Sequence, residues 1–270
     1  MVWKDVRRLI RAAVLAAHIL LGVVLALCVL LLPYPLRRHT VPGLGGWWLR
    51  RGATIIGIRV LVHGTPSERP CIRLANHISW LDILVLAAQS NAGFVAKAEV
   101  GSWPLIGWLA RIGNTEFVSR GEHASVRRII GRLTRRLAAG ESMTVFPEAT
   151  SRASVLPARF RPRLLQAAVD AGAHVQPVAI FYGAEPEVLE RVAFVGEDTF
   201  LSHLWRLLAG GPVLAEVTYL PPLATVTGDC RLLADEAWRA VSHTLSQLEL
   251  YELEAQRGRL QAAELITRAA

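Results

Sequence analysis

Cysteine is scarce in this chain: there are three in 270 residues, Cys28, Cys71 and Cys230, odd in number and widely spread. That pattern excludes a disulfide framework and suits reduced thiols in a cytosolic domain. No cluster of His and Cys has ligand spacing, so a metal ion is not expected. No Gly-x-Ser-x-Gly occurs, so the strained elbow that presents a nucleophilic serine is missing. Zinc-finger spacing, a helix-turn-helix and an RNA-recognition signature are missing too, and no nucleic-acid partner is expected despite a net charge of +8. An anionic bilayer is the better partner for such charge, since each Lys or Arg held near one is worth about 1 kcal/mol. The chain also lacks repeats and low-complexity linkers.

What is present is apolar residue, 52% of the chain, high for a soluble protein. Residues 12–32 form one run interrupted only by His18, long enough at about 1.5 Å per residue to cross a hydrocarbon core of about 30 Å. Lys4, Arg7, Arg8 and Arg11 give it the basic start of a signal peptide, but the run is too long and Pro33-Tyr34-Pro35-Leu36 offers no small-residue cleavage site. Arg37, Arg38, Arg50 and Arg51 follow it, so the positive-inside rule does not choose between a helix that spans and one that dips in and returns. The expected division is a membrane-anchoring helical segment over 1–62 and a globular domain over 63–270.

In that domain β-rich runs at 71–75, 94–97, 116–119, 143–146, 175–182, 192–195 and 213–220 alternate with longer helical patterns. This predicts an α/β fold, a central sheet with helices on its faces. The clearest helix is 122–139, with Val126, Ile129, Ile130, Leu133 and Leu137 in one stripe, five arginines facing away and Gly140 ending it. The arginine face reads as solvated charge or as a docking surface for an acidic carrier or lipid heads. Another helix is expected over 164–171, and one or two over 235–267.

The segment Asn76-His77-Ile78-Ser79-Trp80-Leu81-Asp82 sets an imidazole and a carboxylate five residues apart directly after an apolar strand. Histidine is the side chain able to act as a neutral base near pH 7. A buried carboxylate fixes its tautomer and steadies the imidazolium. His77 is therefore the candidate base and Asp82 its orienting partner, against the plain alternative of two polar residues near one another by chance. Backbone amides at the start of the following helix are candidate donors for a developing oxyanion.

Three further segments accompany it in order: Gly113-Asn114-Thr115-Glu116-Phe117-Val118-Ser119-Arg120, Phe146-Pro147-Glu148-Ala149-Thr150-Ser151-Arg152, and Val175-Gln176-Pro177-Val178. Together with Phe94-Val95-Ala96-Lys97-Ala98-Glu99 and Trp103-Pro104-Leu105-Ile106-Gly107-Trp108, this series resembles the glycerophospholipid acyltransferase family of the lysophosphatidate acyltransferase type, over roughly residues 55–220. The resemblance implies a mixed sheet flanked by helices, preceded by a membrane helix or helical hairpin whose second member is Gly43 to Leu61, with Trp47 and Trp48 at headgroup level. The domain over 63–270 is then catalytic, on the cytoplasmic side of a bacterial inner membrane.

The resemblance also implies the chemistry. The substrate's own alcohol takes the place of serine in a triad with His77 and Asp82, and an acyl group passes from acyl carrier protein or coenzyme A thioester to a lysolipid, with no bound cofactor. Arg120 would hold the acceptor's phosphate through its planar fork of donors. Glu148 would shape the acceptor pocket, Pro147 and Thr150 would set its turn, and Asn76, Gly113, Phe117 and Arg152 complete the substrate-binding set. In the third block Ala149 stands where glycine is usual and Ser151 where many members have arginine, with Arg152 one place later. The leading expectation for the acceptor is 1-acylglycerol 3-phosphate; the alternative, with no terminal phosphate to grip, is lyso-ornithine lipid. A hydrolase or thioesterase that activates water, and a non-catalytic lipid-binding protein, are the competing classes. Cys71 is a conceivable nucleophile, but its place in an apolar β-rich run favours a structural thiol.

Overall fold

The apolar run folds as α1 (Val2–Leu30), and Pro33 leads into α2 (Tyr34–Ile56), which returns alongside it. The computed structural model describes residues 2–89, 92–119, 123–148 and 150–269. Leu15, His18, Gly22, Ala26 and Val29, spaced three and four apart, form the buried stripe of α1. Gly22 is there because the Trp48 ring of α2 occupies its flank: a Cβ would stand 2.6 Å from the indole. His18 lies stacked on that indole, with centroids 5.0 Å apart. Two reciprocal bonds close the pair, Trp48 Nε1 donating to the His18 carbonyl (3.0 Å) and His18 Nε2 donating to the Trp48 carbonyl (2.9 Å).

The second helix expected over Gly43 to Leu61 instead ends at Gly57, which takes a left-handed φ of 103° with its N–H on Ala53 and Thr54 carbonyls. From there Ile58-Arg59-Val60-Leu61-Val62-His63 runs as β1 (Ile58–His63), so the sheet draws in the last residues of the segment assigned to the anchor. The chain continues through β2 (Cys71–Ala75), α3 (Leu81–Ala87), β3 (Gly93–Lys97), α4 (Ala98–Gly101), α5 (Ile106–Ile112), β4 (Glu116–Val118), α6 (His123–Ala138) and β5 (Met143–Val145). A 3-10 turn at Arg163–Leu165, α7 (Gln166–Ala171), β6 (His174–Phe181), α8 (Pro186–Val192), α9 (Phe200–Ala209), β7 (Val213–Tyr219) and α10 (Cys230–Ala269) complete it.

Among the described residues the strands form one seven-stranded sheet in the order β1-β7-β6-β2-β5-β3-β4. The five from β6 to β4 are parallel, while β7 runs against β6 and carries β1 with it. The sheet is therefore mixed. The two faces alternate with period two: Ile72 and Leu74, Val175, Ala179 and Phe181 face α6, α7 and α10, whereas Val178, Ile180, Tyr182 and the Val213, Ala215, Val217 row face α1, α2, α3 and α9.

The α6 stripe is as expected, with Ile129, Leu133 and Leu137 all buried, and truncating Leu133 to alanine would cost about 2–5 kcal/mol. On its outer face Arg136 is a structural clamp, bonded to Glu141, Glu116 and the Asn114 carbonyl, while Arg127, Arg128 and Arg135 are exposed. The terminal segment is a single helix beginning earlier than expected, because the Asp229 carboxylate accepts from the amides of Arg231 and Leu232 and caps it. The run 192–195 is not a strand. Val192 ends α8 and 193–195 follow as extended chain, where Phe194 N donates to one loop carbonyl, Ile78 O, rather than to a ladder.

Candidate active site

Because β2, β5 and β6 are parallel, the chain leaves all three at one end of the sheet, where α/β folds commonly place ligands. His77 follows β2, Glu148 follows β5 and Tyr182 follows β6. The structure thus brings together residues that lie up to about a hundred positions apart.

The loop after β2 curls around one carboxylate. Asp82, in the first turn of α3 and fully buried, accepts at Oδ2 from His77 Nδ1 (2.8 Å) and from the amides of Ile78 (2.8 Å) and Ser79 (2.9 Å). Its other oxygen accepts from Tyr182 Oη at 2.8 Å. Burial, then the neighbouring Asp82 charge, push the Tyr182 phenol well above its usual range, so it remains a donor. The carboxylate can only accept, so Nδ1 carries the imidazole proton and Nε2 keeps its lone pair. The His77 ring lies on Phe146 with centroids 4.2 Å apart, and its side chain is 21% exposed. A fixed, partly open imidazole whose Nε2 has no partner among the described residues is an arrangement that can take a proton from an alcohol or a water.

Glu148 is buried and grips this loop from β5: Oε1 accepts from His77 N (2.9 Å) and Oε2 from Ala158 N (2.7 Å). Burial raises its carboxyl above the ordinary value, against the opposing pull of those two amides and the nearby His77 and Arg152. Each oxygen accepts one backbone amide, so it braces the loop that carries His77. Asn76 is likewise a brace: its side chain donates to Ile180 O (2.8 Å) and accepts from Ile180 N (2.7 Å), extending the β2–β6 ladder by one rung. The oxyanion donors expected at the loop are not available at residues 77–79, whose amides all go to carboxylates of the protein.

The remaining candidates sort by position. Arg152 is exposed beside the site, its amide donating to the His77 carbonyl at 3.1 Å, and Thr150 is exposed on the same turn. Pro147 is buried in that turn and accepts from Arg161 N. Ser151 donates to the Phe194 carbonyl, joining the third block to the chain after α8. Gly113 caps α5, and Phe117 packs on Gly101 with the Arg111 guanidinium 5.2 Å over its ring, so both serve the β4 side of the scaffold. Arg120 lies outside the described residues. Cys71 is fully buried, its sulfur on Ser142 Oγ at 3.7 Å, as a structural thiol would be.

Two participants were not anticipated. Tyr182 serves the second carboxylate oxygen of Asp82, and its only sequence signal is its period-two register with Val178 and Ile180. His203 of α9 accepts at Nδ1 from Trp80 Nε1 (2.9 Å) and donates from Nε2 to the Val192 carbonyl (3.1 Å). Burial lowers its pKa first and Arg206 adds to this, keeping the ring neutral as that bonding requires.

An α/β sheet with a His–Asp dyad at the carboxyl ends of its parallel strands, attached to a helical hairpin whose first member is long and apolar, is the arrangement of an enzyme with a general base beside a helix that suggests membrane association. The Acyltransferase family model matches residues 59–181. The chain is 38% identical over 244 residues to lyso-ornithine lipid O-acyltransferase of Pseudomonas aeruginosa, covering 87% of this chain and 92% of that one. It is 36% identical over 157 residues to 1-acyl-sn-glycerol-3-phosphate acyltransferase of Neisseria meningitidis, covering 57% and 60%. The solved 1-acyl-sn-glycerophosphate acyltransferase of Thermotoga maritima shares the fold, with a TM-score of 0.73 over 92% of this chain and 96% of that one at 21% identity. The chain belongs to the acyltransferase family.

Proposed function

We propose that this enzyme esterifies the free hydroxyl of a lysolipid with a fatty acyl group from an acyl carrier protein or coenzyme A thioester. One observation carries the reading: His77 Nδ1 is committed to Asp82, which leaves Nε2 as a fixed base at a partly open site. His77 takes the hydroxyl proton as oxygen attacks the thioester carbonyl, Asp82 steadies the imidazolium, and the proton then leaves with the thiolate. Binding both substrates in one geometry supplies much of the remaining acceleration.

Lyso-ornithine lipid is the favoured acceptor. That name belongs to the relative matched over 87% of the chain, and the side chain at 151 is a serine engaged with Phe194 rather than an anion-gripping arginine. The second reading is 1-acylglycerol 3-phosphate as acceptor, favoured by the exposed Arg152 next to His77, with Arg120 as its partner on the phosphate.

The helix Lys4–Leu30 is long and apolar enough to cross a membrane, which points to membrane association. Both ends of the hairpin are held at the catalytic domain. Arg7 and Arg11 donate to the carbonyls of Ala209, Leu208 and Gly210, and α2 runs straight into β1. We infer that the hairpin dips into the bilayer and returns to the cytoplasmic side, and that residues 63–270 make up the catalytic domain. The test is to supply purified enzyme with labelled acyl thioester, on either carrier, and a panel including lysophosphatidate and lyso-ornithine lipid, and to identify the product by mass. Labelled ornithine lipid is expected; free fatty acid formed without any acceptor would instead identify a hydrolase.

A further inference from the structure

The helix α9 connects two parts of the molecule that have different tasks. Its C-terminal carbonyls are capped by Arg7 and Arg11 of α1, at 2.7 Å for Arg7 to Ala209 and 2.9 Å for Arg11 to Gly210. Its buried His203 holds Trp80 of the catalytic loop. Between these fixed points it turns an apolar stripe outward: Leu201 is 74% exposed and Trp205, four residues on, is 45% exposed. An exposed leucine alone means little, but this stripe is continuous with the exposed apolar residues Val6, Leu9 and Ile10 of α1, because Arg8 of that helix lies 5.0 Å over the Trp205 ring. The neighbouring cation of α9, Arg206, is neutralised by two bonds to Asp198 at 2.6 and 2.9 Å, so no unpaired charge of that helix resists transfer into an apolar phase. An amphipathic indole with an arginine over its face suits the boundary between headgroups and acyl chains.

We propose that α9 is a second bilayer-contacting element, with Leu201 and Trp205 seated in the apolar boundary of a lipid surface beside α1. The proposal rests on the membrane reading given above and goes beyond the hairpin. Lipid contact then bears on the helix that supports Trp80 and, three residues away, His77.

The experiment is depth-dependent quenching by brominated phospholipid in vesicles of phosphatidylethanolamine and phosphatidylglycerol carrying the full chain. The added emission of Leu201→Trp is compared with that of Leu250→Trp, on α10 against the opposite face of the sheet, where Leu250 is 60% exposed. Both sites are exposed and tolerate substitution, and matching melting temperatures check this. The indole introduced at position 201 is expected to lose about half of its emission or more, as for a side chain seated several ångströms below the headgroups, and the one at position 250 to lose little. A smaller loss in Trp205→Phe than in wild type, the remainder coming from Trp47 and Trp48 of the hairpin, is the companion result. Equal quenching at positions 201 and 250, or none at 201 because a second copy covers the stripe, overturns the proposal. None of these readouts needs turnover, so failure of the acyl-transfer reading would be seen separately, in the product assay.

Discussion

Tyr182 Oη donates to Asp82 Oδ1 at 2.8 Å from the end of β6, and this bond meets the one carboxylate oxygen that the catalytic loop leaves unserved. Tyr182→Phe therefore strands a buried acceptor while leaving the His77 bond in place. We expect a loss of about 1–3 kcal/mol in stability and a fall of about tenfold in kcat, with KM little altered. Thermal melts and steady-state rates check both; an unaffected kcat would mean that the tyrosine only fills space.

Asp82→Asn should fold. Its side-chain oxygen can take the three N–H donors now on Oδ2, and its amide can turn to Tyr182 Oη, which then accepts. That orientation preserves the His77 tautomer, so the loss is of counter-charge to the imidazolium alone. We expect turnover to fall about a hundredfold, less than the roughly 10⁴ that follows when the tautomer is lost as well. Single-turnover rates on a variant with a near-normal melting temperature provide the check.

Glu148 links stability to pH. Burial raises its folded-state pKa, so the native state binds its proton more readily than the unfolded chain does. Its contribution is then fully present below the unfolded carboxylate pKa and is lost as pH rises through the folded one. Glu148→Gln removes that dependence and leaves one of the two amides, His77 N or Ala158 N, facing an NH2 group. The stability difference, wild type minus variant, should therefore shrink as pH climbs from about 4 into the neutral range. Melting temperatures of both proteins across pH measure it, and a difference that grows would contradict the assignment.

The hairpin has its own test at Gly22. Gly22→Ala drives a methyl to 2.6 Å from the Trp48 indole and should cost about 1–3 kcal/mol, whereas Gly131→Ala, with nothing within 4 Å, should not destabilise. Melts in detergent would show the difference.

The extent to which the sequence disclosed these features follows from how local each one is. The pairing of His77 with Asp82 spans five residues and is imposed by the first turn of one helix, so a short motif suffices to reveal it. The parts played by Glu148, Asn76 and Tyr182 depend on which strands lie side by side. Glu148 reaches back 71 residues to His77 and Tyr182 reaches back 100 to Asp82, and both follow from β5 and β6 flanking β2, an order that periodicity does not encode. For the same reason the motif gives no sign that the Asn76 side chain bonds the Ile180 backbone of the neighbouring strand. β1 was hidden because its apolar residues continue those of α2; only Gly57, with its left-handed backbone, separates them. The run 192–195 has strand composition, but its backbone bonds go to helix and loop groups and not to a neighbouring strand. The hairpin latch pairs two residues 30 apart, and an apolar run with a lone histidine carried no signal for it.

The most direct measurement is the rate at which His77→Ala moves a labelled acyl group from thioester to lysolipid, in a preparation whose melting temperature matches wild type. General-base catalysis by the imidazole is worth about 10²–10⁴-fold, so transfer is expected to fall at least about a hundredfold with the acceptor still bound. Transfer within tenfold of wild type would show that some other group takes the proton, and would remove the role assigned to the dyad.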